Sequence, residues 1–208
     1  MVVLPSAYLP SISYFRHLLS EEEVVIDCGE HFVKRSLRNR TSIMTAQGAM
    51  RLTVPICNAN RPRTRMVDVM IDNSKRWQHQ HWIAIVSAYR SSPYFDHYAP
   101  YLEPLFMREW GSLVEFNRAL LSAIIKLFNM GQRGVLIAEP SYSDSYIEVA
   151  EGVIDLRDKG AVEQGFVATP YIQVFSDRVE FIPNLSVLDL LLCEGPSSLS
   201  LVAESGRF

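Results

Sequence analysis

The 208-residue sequence predicts an α/β protein of one domain, with a mixed sheet, a β-hairpin insertion and a helical central portion. Three observations carry this. Within the first 27 residues an apolar run, a cappable helix and a second apolar run follow one another, the order of a strand–helix–strand unit. Two extended stretches between Asn39 and Ile56 flank Ala46-Gln47-Gly48 and read as a hairpin. Two segments, about 75–89 and about 111–130, repeat apolar residues at helical spacing.

Taken in order, Val2–Tyr8 is an apolar strand run closed by Leu9-Pro10, and Ser11 supplies an N-cap for a helix to about Leu19. Val24–Asp27 is a short strand ending in a carboxylate, and strand ends are where open α/β sheets hold ligands. Along the hairpin Arg40, Ser42, Met44, Arg51 and Thr53 alternate with apolar neighbours, so one face is polar. Residues 58–65 form a basic loop, and Met66–Ile71 reads as a strand. Asp72-Asn73-Ser74 caps a helix from Lys75 to Tyr89, which Ser91-Ser92-Pro93 stops. A tyrosine-rich stretch (Tyr94, Tyr98, Tyr101) precedes an amphipathic helix from Gly111 to Met130. Gly131 and Gly134 end it, and Val135–Ala138 reads as a strand. Residues 140–168 are polar and irregular and read as a flap or lid. Tyr171–Phe175 reads as a strand, and Ser186-Val187-Leu188-Asp189 opens a short helix that Gly195-Pro196 closes.

A hydrophobic content of 48%, mean hydropathy of +0.05 and net charge of -3 exclude disorder. Cys28, Cys57 and Cys193 are an odd count without C-x-x-C spacing, so neither a disulfide framework nor a zinc site is expected. MVVLPSAYLP lacks the basic start of a signal peptide, and no apolar run is long enough to span a membrane. The expectation is a cytoplasmic protein. Dinucleotide, P-loop and nucleophile-elbow glycine motifs are missing, as is H-E-x-x-H, so no cofactor and no metal are expected. His79 and His81 point roughly 200° apart on a helix and cannot share an ion. His81 lies on the face of Trp77 and Ile85 and reads as core-facing.

The charge is unevenly spread. Between His31 and Arg76 ten Lys and Arg stand against two Asp, a net +8 in 46 residues, leaving -11 for the other 162. Such a cluster is either solvated surface or a site for an anionic small molecule bearing phosphate or carboxylate. Eight arginines to two lysines favour the site, because the guanidinium fork matches those oxygens. Aromatic residues do not alternate with the basic ones as in a stacking platform, so no nucleic-acid partner is expected. The densest group is DCGEHFVKRSLRNR, residues 27–40. If 32–38 is extended, Lys34, Ser36 and Arg38 share a face that clamps a diphosphate, while His31 beside Asp27 serves as general base. An edge strand with a solvated charged face explains the same pattern equally well.

Several segments in order resemble the WbqC-like protein family of bacteria, the later ones most resembling members from Bacteroidetes. These are YLPSISYF (8–15), VKRSLRNRTSI (33–43), RLTVPI (51–56), IDNSKRWQHQHWIAIVSAY (71–89), SPYF (92–95), PYIQVF (170–175) and NLSVLDLL (184–191). The resemblance covers essentially the whole chain. It implies a role in O-antigen or other surface-polysaccharide biosynthesis, where activated sugars are nucleotide- or lipid-linked diphosphates. On that basis the expected function is an enzyme acting on an activated sugar or amino-sugar precursor, with group transfer one reaction that fits. The alternative is a non-catalytic assembly protein. The expected site has Asp27 and His31 as catalytic residues, with Lys34, Arg38, Asn39, Arg40, Tyr8 and Tyr14 binding substrate. The family's usual Gln-Pro before the first tyrosine is here Ser6-Ala7.

Overall fold

Apolar runs without polar alternation, Val2-Val3-Leu4 and Val24-Val25-Ile26, form the two central strands of a parallel sheet, as strands covered on both faces must. A computed structural model of the protein describes residues 1–19, 22–57, 63–130, 132 and 136–206. In chain order, β1 (Val2–Pro5), α1 (Ile12–Leu18) and β2 (Val24–Asp27) precede a hairpin of β3 (Arg40–Thr45) and β4 (Gly48–Thr53). Three helices follow, α2 (Trp77–Tyr89), α3 (Phe95–Met107) and α4 (Leu113–Asn129). Then come β5 (Ser141–Ser143), β6 (Ile154–Asp155), α5 (Val187–Glu194) and α6 (Ser198–Glu204).

The main sheet has the order β5-β2-β1-β6 with every pair parallel, Val2 opposite Val24 and Pro5 opposite Asp27 at its centre. Among the described residues the strands of the separate β3–β4 ribbon pair antiparallel, and isolated antiparallel bridges join Ser11 to Ser186 and His31 to Arg65. Residues 140–168, read as a flap or lid, supply both outer strands of the main sheet. No helix among the described residues is long and apolar enough to cross a membrane.

One apolar cluster runs from Val2 to Val202. Phe116 of α4 is its hub. The rings of Tyr8, Trp77, Trp110 and Phe106 lie between 5.4 and 5.9 Å from it, stacked, tilted or edge-on. His81 faces this cluster, with Nδ1 2.8 Å from the Tyr8 hydroxyl and its ring edge-on to Trp77.

Several elements differ from the sequence reading. α3 occupies the tyrosine-rich stretch despite Pro100 and Pro104, because Phe95, Tyr98, Leu102 and Phe106 bury one stripe while both prolines stay on the exposed face. Met66–Ile71 is not a strand: Met66–Asp68 is a 3-10 turn whose amides at Met66 and Val67 donate to the Glu30 and Cys28 carbonyls. Tyr171–Phe175 pairs with no strand, since the Gln173 amide takes both backbone bonds of Ile182 at 2.9 Å. Likewise 136–138 is not a strand, because the Asn129 amide binds the Ile137 N–H and carbonyl at 2.8 Å. Val135, Gly131 and Gly134 lie outside the described residues, as do 58–62 of the basic loop.

Burial lowers the His81 imidazole to about 4, so the ring is neutral in the folded protein at pH 7. The unfolded chain, near 6.5, takes up the proton first as pH falls. The neutral ring's contribution is therefore complete above pH 6.5 and is lost on the way down to pH 4, by about 3 kcal/mol in all. His81→Asn should flatten the acid side of a stability–pH curve measured by urea unfolding. Parallel curves for variant and wild type would contradict this origin.

Candidate functional site

The carboxyl ends of the parallel strands carry a buried ionic network. Asp27 closes β2 with 0% exposure. Its Oδ1 accepts from the amides of Gly29 at 2.7 Å and Glu30 at 3.0 Å. Its Oδ2 accepts from the Ile147 amide at 3.1 Å and from the Arg157 guanidinium. Only glycine fits at 29, where a Cβ would stand 2.2 Å from the backbone of Ser145 and Tyr146. Arg157, 6% exposed, also grips Asp155 at the end of β6 through Nε at 2.8 Å and Nη2 at 2.7 Å, and lies over the Tyr146 ring. The guanidinium holds the Asp155 carboxyl below the usual range.

Arg38, 1% exposed, forms the second half. It makes a two-pronged pair with Glu30 and donates to the Arg157 carbonyl at 2.8 Å and to Ser36 Oγ at 3.3 Å. Burial pushes the Glu30 carboxyl up to about 7 against the pull of Arg38. Asn117 of α4 closes the network, donating to the Arg38 carbonyl at 2.8 Å and to Ser6 Oγ at 3.1 Å.

The extended run expected over 32–38 is absent. The chain turns there, with Arg35 in the left-handed region at φ 57°. Ser36 Oγ donates to the Val33 carbonyl and the Tyr8 amide donates to the Leu37 carbonyl, so local bonds replace a strand ladder. Lys34 is exposed while Ser36 and Arg38 are buried, so the three share no solvent face.

Beside this network lies an open cavity of about 410 Å³. Pro5 at the end of β1, Leu9–Ser11 before α1, the loop after β6, Asn184 and the hairpin line it. Arg40 and Ser42 are two apart on β3, and Arg51 stands opposite Ser42 on β4, so the ribbon turns one polar face to the space. Arg35 joins them from the turn, and Asp158, Lys159 and Glu163 from the segment after β6. Arg40 Nε is buried with no hydrogen-bond partner among the described residues. Burying an unpaired guanidinium nitrogen costs free energy, so the Arg40 guanidinium is not fully satisfied by the described residues.

The cavity thus gathers only Arg38 and Arg40 of the expected site, and Arg38 is already engaged by Glu30. The buried tyrosines sit elsewhere: Tyr8 is held by His81, and Tyr14 donates to the Pro5 carbonyl at 2.9 Å. Asn39 donates to the Val54 carbonyl at 2.9 Å and does not line the cavity. His31 is exposed, bridged through its backbone to Arg65, and makes no hydrogen bond to Asp27 among the described residues. Among the described residues no group of three or more His, Cys, Asp or Glu is arranged to hold a metal ion.

A family model described as the WbqC-like protein family matches residues 6–158, from the end of β1 to the first carboxylate of the cavity. The chain belongs to that family. This WbqC-like protein is also 30% identical over 134 residues to an uncharacterized protein, Rv1507c, of Mycobacterium tuberculosis. That match takes in 64% of this chain and 58% of the relative, so the chain spans less than two thirds of the relative's length. No solved structure matches. In the WbqC-like chain the buried network and the hairpin fall inside the family match, whereas Lys159, Glu163 and Asn184 fall beyond it.

The expected site omits Asp158, Lys159 and Glu163, and also Arg51, although Arg51 falls on the hairpin's polar face. Arg51 was within reach, since hairpin register about Ala46-Gln47-Gly48 sets it opposite Ser42. The other three carry no local signal, because only the pairing of β6 with β1 brings them to the cavity.

Removing one partner of a buried ion pair strands the other charge. Arg157→Met should therefore destabilise the protein by about 3–5 kcal/mol in urea unfolding at pH 7, and adding Asp27→Asn should restore part of that loss. A single variant within about 1 kcal/mol of wild type would mean the pair contributes little.

Proposed function

We propose that this protein binds an activated, phosphate-bearing sugar or amino-sugar precursor of a surface polysaccharide in the cavity beside β1 and β6. The observation that carries the reading is Arg40, lining the cavity with Arg35 and Arg51 while its Nε is buried without a hydrogen-bond partner among the described residues. Phosphate oxygens match such forks, and the volume accommodates a sugar phosphate. Polar groups for the sugar come from Ser11, Ser42 and Asn184 in the same lining. Family membership supports the polysaccharide context, and the use of a nucleotide-activated precursor is what supports a cytoplasmic location in this reading.

Transfer of an acyl group from an activated acyl donor to the bound precursor suits this lining. As the ligand's oxygen or nitrogen bonds to the acyl carbon, the donor's leaving group departs with its bonding electron pair, and Asp158 or Glu163, facing the same space, takes up the proton that the attacking group releases. Asp27 and His31 do not enter this reading. Asp27 holds Arg157 and three backbone amides, and His31 lies outside the cavity.

Thermal unfolding at low salt with UDP-glucose, UDP-N-acetylglucosamine and glucose 1-phosphate tests the reading. A ligand at a hundred times its Kd should add about 2.7 kcal/mol, a rise of roughly 5–10 °C in Tm for a domain of this size. Arg40→Met and Arg51→Met should each weaken binding about tenfold or more. No shift with any of the three compounds, or an undiminished shift in both variants, would overturn it.

A further inference from the structure

The cavity lining carries charges of both signs. Arg35, Arg40 and Arg51 come from the turn and the hairpin, while Asp158, Lys159 and Glu163 come from the segment after β6. None of the six is in an ion pair among the described residues. The hairpin register sets the backbone positions of Arg40 and Arg51, and the 3-10 turn Ala161–Glu163, entered through Gly160 at φ 87°, sets that of Glu163, while the Ala161 amide donates to the Asp158 carbonyl at 3.1 Å. Opposite charges around one space of about 410 Å³ are thus kept apart and left for something else to pair.

A neutral sugar phosphate would satisfy the arginines but bring its negative charge beside two further carboxylates, which repel it. A ligand that also carries a positive group converts that repulsion into attraction. We infer that the ligand is bipolar: its phosphate meets Arg40 and Arg51, and a primary ammonium on the sugar meets Asp158 and Glu163. The inference rests on the reading of the cavity as a phosphate-bearing sugar's site, and selects the free amino sugar over the hydroxyl or N-acetyl form.

The experiment compares glucosamine 1-phosphate, glucose 1-phosphate and N-acetylglucosamine 1-phosphate by titration calorimetry at pH 7 and low salt. Wild type should bind the free amine about tenfold more tightly than either neutral analogue, as two partly exposed charge pairs allow. Asp158→Asn with Glu163→Gln should erase that preference and raise affinity for glucose 1-phosphate, whose phosphate the two carboxylates no longer repel. Both side chains are exposed, so the double variant keeps the fold. Equal affinity of wild type for all three compounds, or a preference that survives in the double variant, overturns the bipolar ligand and leaves the phosphate site standing. Binding of none of the three overturns both.

Discussion

Asp27 and Arg157 meet in the interior, and the surrounding loops have the shape that lets them do so. A carboxylate at zero exposure is tolerable only when nearly every lone pair is met, and here two backbone amides of its own turn, a third from Ile147 and a guanidinium meet them. That requirement folds residues 28–30 back under Asp27 and draws the backbone of Ser145 and Tyr146 against Gly29. It also places the chain leaving β6 where the Arg157 carbonyl can receive Arg38. The cavity borders the same pieces of backbone, so its position follows from the ion pair although neither partner faces it.

The arginines therefore divide into two populations with different physics. Arg38 and Arg157 are buried, paired and hydrogen-bonded to backbone, and they hold loops together. Arg35, Arg40 and Arg51 line an open space and are in no ion pair among the described residues. A linear count of positive charge treats the two alike. Burial separates them, and it depends on Glu30 lying within reach of Arg38 and on Asp155 lying beside Arg157.

Legibility in the sequence followed the range of the interactions involved. β1, β2, the hairpin, α2 and α4 could be read because each is specified by its own apolar pattern and stop signals. α3 could not, because Pro100 and Pro104 dominate the local signal while burial of Phe95, Tyr98, Leu102 and Phe106 needs α2 and α4 alongside. β5 and β6 have three and two residues, too few to show a period. The runs 135–138 and 171–175 look like strands, but over the described part of the first the Asn129 amide stands in for a neighbouring strand, and in the second the Gln173 side chain takes the backbone bonds of Ile182. In the site Arg40 was legible from the polar face of the hairpin. Asp158, Lys159 and Glu163 were not, because only sheet pairing brings them there.

The order of the sheet also bears on how the chain is made. β1 and β2 are complete after 27 residues, yet β5 and β6 are drawn from 141–155. Asp27 waits 130 positions for Arg157, and contacts so distant in sequence form slowly. As the chain leaves the ribosome, residues 1–27 present two unflanked apolar strands and a carboxylate without its guanidinium until residues 141–157 emerge. Its native sheet is assembled by insertion of late strands on both sides of an early pair, so synthesis interrupted before residue 157 yields a fragment with open edges and a charge that favours keeping it unfolded.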